Sequence, residues 1–329
     1  MLCRLQVAYD TVLSRRRRQP VLTNSISKVV MSEERMVELI KDQFGEGRDE
    51  FYRPWIRVTK SVSSPISHVN VFASPIHVRG IHLLSKLERT ACYIACWLGA
   101  SEIREQFPLF PWHGVHPMAG LHRGRDARLE RAPSLKKIGD EIGVDIGRYV
   151  GSAVPYVATT DLVLRVGNYP EDRLVFWSVK PNSELLCPKR GRAVRSRLEL
   201  ERRYAKQIGA FHTVFTDSVV NDHLRKNLIW LTPCHEHLVA NPPASRAAFL
   251  AQFSGQSDAM PLNARMRAIA NAFSLTEALV VEKFRTAAWL GEIDIDLTVP
   301  LTMAYPLRKD ARGRKTALRQ QLMGGKQCH

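Results

Sequence analysis

The sequence predicts an α/β fold built on a central sheet, because three patterns follow one another along the middle of the chain. Apolar residues recur at helical spacing in residues 81–98, and two strand-like runs separated by a Gly-Asn-Tyr-Pro turn fill residues 158–180. A helix-like stretch and then a strand-like stretch fill residues 195–217. Helices and strands in this order are typical of a sheet covered by helices.

The composition is that of a globular protein long enough for two hydrophobic cores. The 329 residues are 45% hydrophobic and 24% charged, and no run of about 18 apolar residues predicts a membrane-spanning helix. The basic run Arg15–Arg18 is not followed by the apolar stretch of a secretory signal. We therefore expect a cytoplasmic bacterial protein whose six cysteines are free thiols rather than disulfides.

The net charge of +16 favours a polyanionic partner, and nucleic acid is the leading candidate. A basic surface that binds nothing remains the alternative. Part of the surplus lies in a basic tail, residues 307–329, which is poor in apolar residues and is expected to stay flexible until it is bound.

The ends of the chain differ in pattern from its middle. Residues 1–50 predict a weakly ordered leader, in which MSEERMVELI begins a helix and Met31 is a candidate natural start. Residues 51–232 carry the α/β pattern. Residues 233–306 predict a smaller α-rich domain in which a helix, from ALVVEKF onward, runs into a short alternating strand, IDIDLTV.

One acid is out of place in the helix predicted for residues 81–98. Glu88 follows Leu84 by four residues and precedes Ala91 by three, so it borders the buried stripe. An unpaired carboxylate there is unfavourable. Glu88 is therefore a candidate functional residue.

The predicted hairpin carries a charge at each end. If its turn centres on Pro170 and Glu171, antiparallel pairing places Asp161 directly opposite Lys180. The carboxylate and the ammonium then converge on one face of the sheet. A simple cross-strand salt bridge and a catalytic pair explain this arrangement equally well.

Phosphodiester hydrolysis favours the catalytic interpretation. It needs a divalent cation held by hard oxygens, and a lysine that positions water and offsets negative charge. Asp161 could ligate the metal, Lys180 could supply the cation, and Glu88 could supply a second acid. This set of residues is the pattern of restriction-endonuclease-like nucleases.

Longer stretches of the sequence resemble the TnsA family, the transposon endonucleases of bacterial cut-and-paste elements that also encode a DDE transposase. The stretches that carry the resemblance span about residues 50–231 and are YRPWIRVTKSVSS, HLLSKLERTACYIACWLGASEIREQFPL, the hairpin, and LELERRYAKQIGAFHTVFTDSVVNDHLRKNLIWL. The resemblance implies a restriction-endonuclease-like catalytic domain followed by a winged-helix-like domain.

The resemblance also implies roles for individual residues. Glu88, Asp161 and Lys180 correspond to the catalytic acids and lysine, and Glu201, in preference to Glu199, to an accessory acid. The implied activity is cleavage of the 5′ ends of a transposon, together with a TnsB-type DDE transposase and an AAA+ regulator of the TnsC type. The tail cations expected to bind that regulator or DNA are Arg308, Lys309, Arg312, Arg314, Lys315 and Arg319.

The sequence departs from the nuclease pattern at Ser178, where restriction enzymes usually carry an acid and where the TnsA family is expected to carry glutamine. We expect Mg²⁺, with Mn²⁺ as a substitute, to be held by Glu88, Asp161, the Val179 carbonyl and water. Ser178 is the best support for one alternative, a non-catalytic DNA-binding assembly factor with a decayed nuclease site. A stand-alone restriction or repair nuclease, which would share the chemistry but not the partners, is a further alternative.

Histidines and a cysteine elsewhere raise the alternative of a zinc site. No Cys-x-x-Cys pair accompanies them, so we expect ordinary loop residues. The residues concerned are His113, His116, His122, Cys234, His235 and His237.

Overall fold

The structure, a computed structural model, describes residues 31–58, 70–188, 191–235, 238, 243–310 and 313–324. The chain divides into two compact units. The first comprises the described residues of Met1–Phe72, Arg79–Arg89 and Ala100–Thr216, and the second those of Ala73–Val78, Thr90–Gly99 and Asp217–His329. The division after Thr216 differs from the predicted boundary near residue 233, and two short segments from the first hundred residues belong to the second unit.

The first unit holds the strands, apart from Ala73 at the end of the first strand, and most of the shorter helices. Its helices in the described residues are α1 (Glu33–Lys41), α3 (Arg123–Asp126), α4 (Leu135–Ile142), α5 (Asn182–Leu185) and α6 (Gly191–Gln207). The strands are β1 (Asn70–Ala73), β2 (Gly80–Leu83), β3 (Ala100–Leu109), β4 (Ala158–Val166), β5 (Arg173–Val179) and β6 (Phe211–Phe215). Helix α2 (Lys86–Trp97) begins in the first unit and continues into the second.

Within the described residues, a mixed four-stranded sheet has the order β3-β4-β5-β6. The β3–β4 and β4–β5 pairs are antiparallel, and β6 lies parallel to β5 after the crossover through α6. The central strands β4 and β5 are apolar on both faces, since Leu162, Val163, Phe176 and Trp177 are all buried. The predicted α/β architecture with a central sheet is confirmed at this level.

Strand β3 was not predicted, because its sequence SEIREQ is polar. Its acids are buried against arginines that come from distant parts of the chain. Arg48 Nη1 donates to Glu102 Oε2 over 2.6 Å, and Arg79 forms two hydrogen bonds of 2.8 Å with the Glu105 carboxylate. Paired in this way, charged residues fill positions that a hydropathy pattern assigns to solvent.

The β4–β5 hairpin is present, but its predicted register is wrong. The ladder pairs Leu162 with Trp177 and Val166 with Arg173, so the turn centres one residue earlier than predicted. A shift of the turn by one residue moves every partner by two positions. Asp161 therefore lies opposite Ser178 rather than Lys180.

One face of the sheet packs against α4 and α6. Val163 and Phe176, which are partners across the ladder, join Leu200 and Tyr204 of α6 and Leu135 of α4 in one buried cluster. The face with this cluster also carries Asp161 and Ser178, because side chains alternate along each strand.

The N-terminal helix is better ordered than predicted. Ser32 caps α1 by accepting a hydrogen bond from the Arg35 N–H, so the helix expected from MSEERMVELI is confirmed. Met36 and Ile40 are buried in a cluster with Trp55. The expectation of weak order up to residue 50 is therefore wrong for residues 31–50, while residues 1–30 lie outside the described part.

The second unit consists mainly of helices. In its described residues they are the later part of α2, then α7 (Asp222–Leu231), α8 (Pro243–Ser254), α9 (Leu262–Phe273), α10 (Glu277–Leu290) and α11 (Arg314–Met323). Apolar side chains such as Leu228, Ile269 and Phe284 are fully buried. Among the described residues, no helix is both long enough and apolar enough to cross a membrane.

The short strand predicted after α10 is wrong, since residues 291–301 form no strand. The buried amide of Asn227, on α7, instead donates to the carbonyls of Leu297 and Val299 over 2.8 and 2.7 Å. Asn221 donates to the Thr298 carbonyl between them over 2.9 Å. Side chains of α7 and of its N-cap residue thus satisfy backbone groups that a strand partner would otherwise occupy.

The basic tail contains a helix, so the expectation of a flexible segment is wrong for α11. Leu322 and Met323 are buried, and the Lys315 ammonium lies 4.9 Å from the centre of the Trp97 ring. Burial, and then the charge of the nearby Arg319, lower the pKa of Lys315 to about 8. Arg312 and residues 325–329 lie outside the described part of the chain.

Candidate active site

Asp161 and Lys180 are in contact at the open end of the β4–β5 hairpin. Asp161 Oδ2 accepts hydrogen bonds from the Lys180 ammonium and from the Val179 N–H, each over 2.7 Å. The long lysine side chain spans the two positions by which the ladder separates the pair. Burial alone would lower the pKa of Lys180, but the Asp161 carboxylate raises it above its usual value. Lys180 is therefore a cation at neutral pH.

Glu88 lies in the first turn of α2 and is 6% exposed. Its Oε2 accepts from the Leu84 N–H over 2.9 Å, its Oε1 accepts from the Ser85 hydroxyl over 3.0 Å, and its own N–H donates to Ser85 Oγ over 3.1 Å. This resembles a capping box, which the spacing Ser85-x-x-Glu88 could have indicated, except that the carboxylate accepts from the Leu84 N–H instead of the Ser85 N–H. Burial, and then the charge of Asp161, raise the pKa of Glu88 to about 7.

Sequence reasoning missed Gln106, which links Glu88 to β4. Gln106 Nε2 donates to Glu88 Oε2 over 3.4 Å, and Gln106 Oε1 accepts from the Thr159 hydroxyl over 3.2 Å. The neighbouring pairs of the β3–β4 ladder place Gln106 opposite Asp161. Its φ of 46° is unusual for a non-glycine residue in a strand. Nothing in the local sequence pattern predicts that conformation.

Ser178 and Glu201 are joined directly, whereas Glu199 lies elsewhere. The buried Ser178 hydroxyl donates to Glu201 Oε2 over 2.5 Å, and Arg197 Nε lies 3.3 Å from Glu201 Oε1. Burial, followed by the charge of Asp161, raises the pKa of Glu201. Glu199 instead forms ion pairs with Arg202 and Arg203 on the outer side of α6.

The donors at this site suit a hard divalent cation with few protein ligands. No three His, Cys, Asp or Glu side chains within the described ranges are grouped closely enough to hold one metal ion. Mg²⁺, however, is commonly bound by one or two carboxylates and keeps several waters. Glu88 and Asp161 supply two such groups, and the charge of Asp161 opposes the ionisation of Glu88. A cation beside them would relieve that repulsion.

The histidines considered for zinc have other contacts. His113 Nδ1 lies 3.2 Å from the Ala132 carbonyl, and His116 Nδ1 accepts from the Met118 N–H over 3.0 Å. His122 stacks on the Tyr169 ring. His237 lies outside the described residues.

Comparison with known proteins gives one relative that matches the sequence resemblance. No protein-family model matches the chain. The transposon Tn7 transposition protein TnsA of Escherichia coli is 30% identical over 203 residues, which cover 61% of this chain and 63% of the relative. The chain is similar to a TnsA transposition protein. The match spans less than two thirds of that relative's length.

Proposed function

We propose that this chain is a metal-dependent DNA endonuclease that cleaves the 5′ ends of a transposon during cut-and-paste transposition. The observation that carries the proposal is the convergence of Glu88, Asp161 and Lys180, three residues from separate elements, at one end of the sheet. A salt bridge alone would account for Asp161 and Lys180 but not for the buried Glu88, whose ionisation Asp161 opposes.

Each residue has a chemical role in this proposal. Glu88, Asp161 and the Val179 carbonyl would hold Mg²⁺, or Mn²⁺ in its place, and that ion would activate water and polarise the phosphate. Lys180 stays protonated because Asp161 raises its pKa, so it offsets negative charge on the phosphate rather than removing a proton. The Val179 N–H and Lys180 together fix the Asp161 carboxylate.

The proposed partners follow from charge and from the TnsA resemblance. The net charge of +16 suits DNA, here the transposon ends. We propose that a TnsB-type DDE transposase cuts and joins the 3′ ends and that a TnsC-type AAA+ regulator contacts the C-terminal part. The similarity to a TnsA transposition protein supports this assignment.

We propose that the C-terminal part contains a winged-helix-like domain, as the resemblance implies. We also propose that the basic tail binds the regulator or DNA. The helices of residues 243–290 support the former, although no strand follows them in the described residues. Within the tail, Lys309 pairs with Asp258 and Arg314 with Asp296, which leaves Arg308 and Arg319 as its exposed cations with no ion pair described. Alanine variants of these two arginines would bind the regulator–DNA complex less well.

Ser178 favours the rival proposal of an assembly factor with a decayed nuclease site. Against decay, its hydroxyl is hydrogen-bonded to the buried Glu201, so a carboxylate is still present next to the β5 position that lacks one. A stand-alone restriction or repair nuclease would share the chemistry but not the partners. A neighbouring gene for a DDE transposase would favour a transposition protein over a stand-alone nuclease.

The test uses near-isosteric variants of the two acids. We expect Asp161→Asn and Glu88→Gln each to lower 5′-end cleavage by on the order of 100-fold or more, because each removes a charge that holds the cation. Strand breaks are measured on transposon-end DNA in a mixture of this chain, the transposase, the regulator and Mg²⁺.

The matched control is Asp140→Asn, an exposed carboxylate on α4 that pairs only with Lys136 in the described structure. It should cleave at the wild-type rate. Circular dichroism should show that all three variants fold. Full 5′ cleavage by both acid variants would exclude this site.

A further inference from the structure

His212 of β6 contacts the site but has no role in the proposal above. Its Nε2 lies 2.8 Å from Ser178 Oγ, and β6 pairs with β5 so that His212 is the partner of Phe176. Phe176 and Ser178 are two residues apart and therefore face the same side of the sheet. His212 and Glu201 thus approach the Ser178 hydroxyl from two different elements, β6 and α6.

The hydrogen bonds around Ser178 have a direction. A serine hydroxyl has one proton, and Ser178 donates it to Glu201 Oε2 over 2.5 Å. His212 Nε2 must then be the donor to Ser178 Oγ, which assigns the neutral Nε2–H tautomer. Burial, and then the charge of Arg202, lower the pKa of His212 to about 4, while Glu199 opposes that shift. His212 is therefore neutral at pH 7.

We infer that His212 is a positioning residue that acts through the Ser178 hydroxyl to hold the Glu201 carboxylate at the active site. This inference rests on the proposed nuclease function. A serine on β5 joined to a glutamate on α6 then takes the place of the single acid that the nuclease pattern puts on β5. Ser178 is on this reading a connecting group rather than a sign of decay.

The position of Glu201 explains why its orientation matters. Its charge acts on Lys180, which also contacts Asp161, while Arg197 lies at its other oxygen. If Glu201 turned away, the ammonium would keep one of these carboxylates instead of two. Because Ser178 and Glu201 are buried, the chain of hydrogen bonds acts on the chemical step rather than on DNA binding.

Substitutions at His212 and Ser178 separate positioning from general stability. His212→Leu removes the donor, whereas the amide of His212→Gln can still donate to Ser178. We expect His212→Leu to lower the 5′-cleavage rate about tenfold with DNA affinity unchanged, and His212→Gln to recover most of the rate. In a Ser178→Ala background, His212→Leu should cause no further loss of cleavage rate, because the two residues act through the same series of hydrogen bonds.

Thr213→Val, the next residue on β6, is the matched control and should cleave as the wild type does. Thermal unfolding identifies any variant that fails to fold. If wild type and His212→Leu cleave at the same rate, the positioning role is excluded. If the losses of cleavage rate from Ser178→Ala and His212→Leu add fully in the double variant, His212 does not act through the hydrogen bond to Ser178.

A second measurement does not depend on cleavage. Side-chain ¹⁵N spectra of His212 in the free protein at pH 7 should show a protonated Nε2, with a change of its signal in Ser178→Ala. An Nδ1–H tautomer would contradict the inferred direction of the hydrogen bonds, in which His212 donates to Ser178. Wild-type protein that cleaves no 5′ ends in the full mixture would overturn the nuclease proposal instead, and this spectrum would still report on the hydrogen bonds.

Discussion

Glu88 combines two roles that sequence patterns treat separately. Its carboxylate caps the first turn of α2 through Leu84 and Ser85, and the same carboxylate lies close enough to Asp161 for their charges to interact. The capping bonds favour the ionised form, but burial and Asp161 outweigh them, so its pKa rises. Local structure thus holds the Glu88 carboxyl group in place, and tertiary structure raises its pKa.

This raised pKa predicts how stability depends on pH. An ordinary glutamate titrates near 4.5, and Glu88 titrates near 7 in the folded protein, so the folded state holds the proton more tightly. Its contribution to stability is complete below about pH 4.5 and is lost as pH rises through 7. Glu88→Gln should match the wild type at pH 4.5 and be more stable by about 3 kcal/mol at pH 8.

Urea unfolding in EDTA at the two pH values measures this difference. Glu141→Gln, an exposed glutamate on α4, is the control and should show no such change with pH. A stability difference between wild type and Glu88→Gln that is the same at both pH values would contradict the assignment.

At the scale of elements, two segments depart from their sequence patterns for the same reason. Strand β3 forms although it is polar, because Glu102 and Glu105 meet arginines from distant segments. Residues 291–301 do not form a strand although they alternate, because Asn227 satisfies their carbonyls. In both cases a long-range polar partner decides the outcome.

Asn227→Leu tests the second case. Without the amide, the carbonyls of Leu297 and Val299 lose their donor, so we expect a loss of about 2–4 kcal/mol in the free energy of unfolding. Lys226→Ala, an exposed neighbour on α7, should change that energy by about 0.5 kcal/mol or less. Chemical denaturation of the three proteins measures both values. Equal midpoints for Asn227→Leu and wild type would show that water or another group replaces the amide.

At the scale of the whole molecule, the two units are interleaved along the sequence. Residues 73–78 and 90–99 belong to the second unit, although they lie between parts of the first. Ala91, Cys92 and Ile94 in the later segment are fully buried. A cut of the chain at a single point therefore cannot separate the two units cleanly.

This interleaving predicts the behaviour of fragments. A fragment of residues 31–216 contains all the proposed site residues but leaves residues 90–99 without the rest of their unit. We expect it to aggregate or to unfold at a lower temperature than a matched chain of residues 31–324, because buried apolar surface becomes exposed. Size-exclusion chromatography and thermal unfolding compare the two. A monomeric fragment with an unchanged melting temperature would show that residues 90–99 do not need the second unit.

The sequence by itself determined the features that depend on neighbours along the chain. These include the order of helix, hairpin, helix and strand, and the helix expected from MSEERMVELI. The sequence also singled out Glu88, Asp161 and Lys180 as candidate site residues, and their roles stay a prediction. Tertiary structure alone decided the hairpin register, the burial of the β3 acids and the meeting of His212, Ser178 and Glu201. The physical reason is that periodicity reports local backbone geometry, whereas burial of a charge is favourable only when a partner arrives from a distant segment.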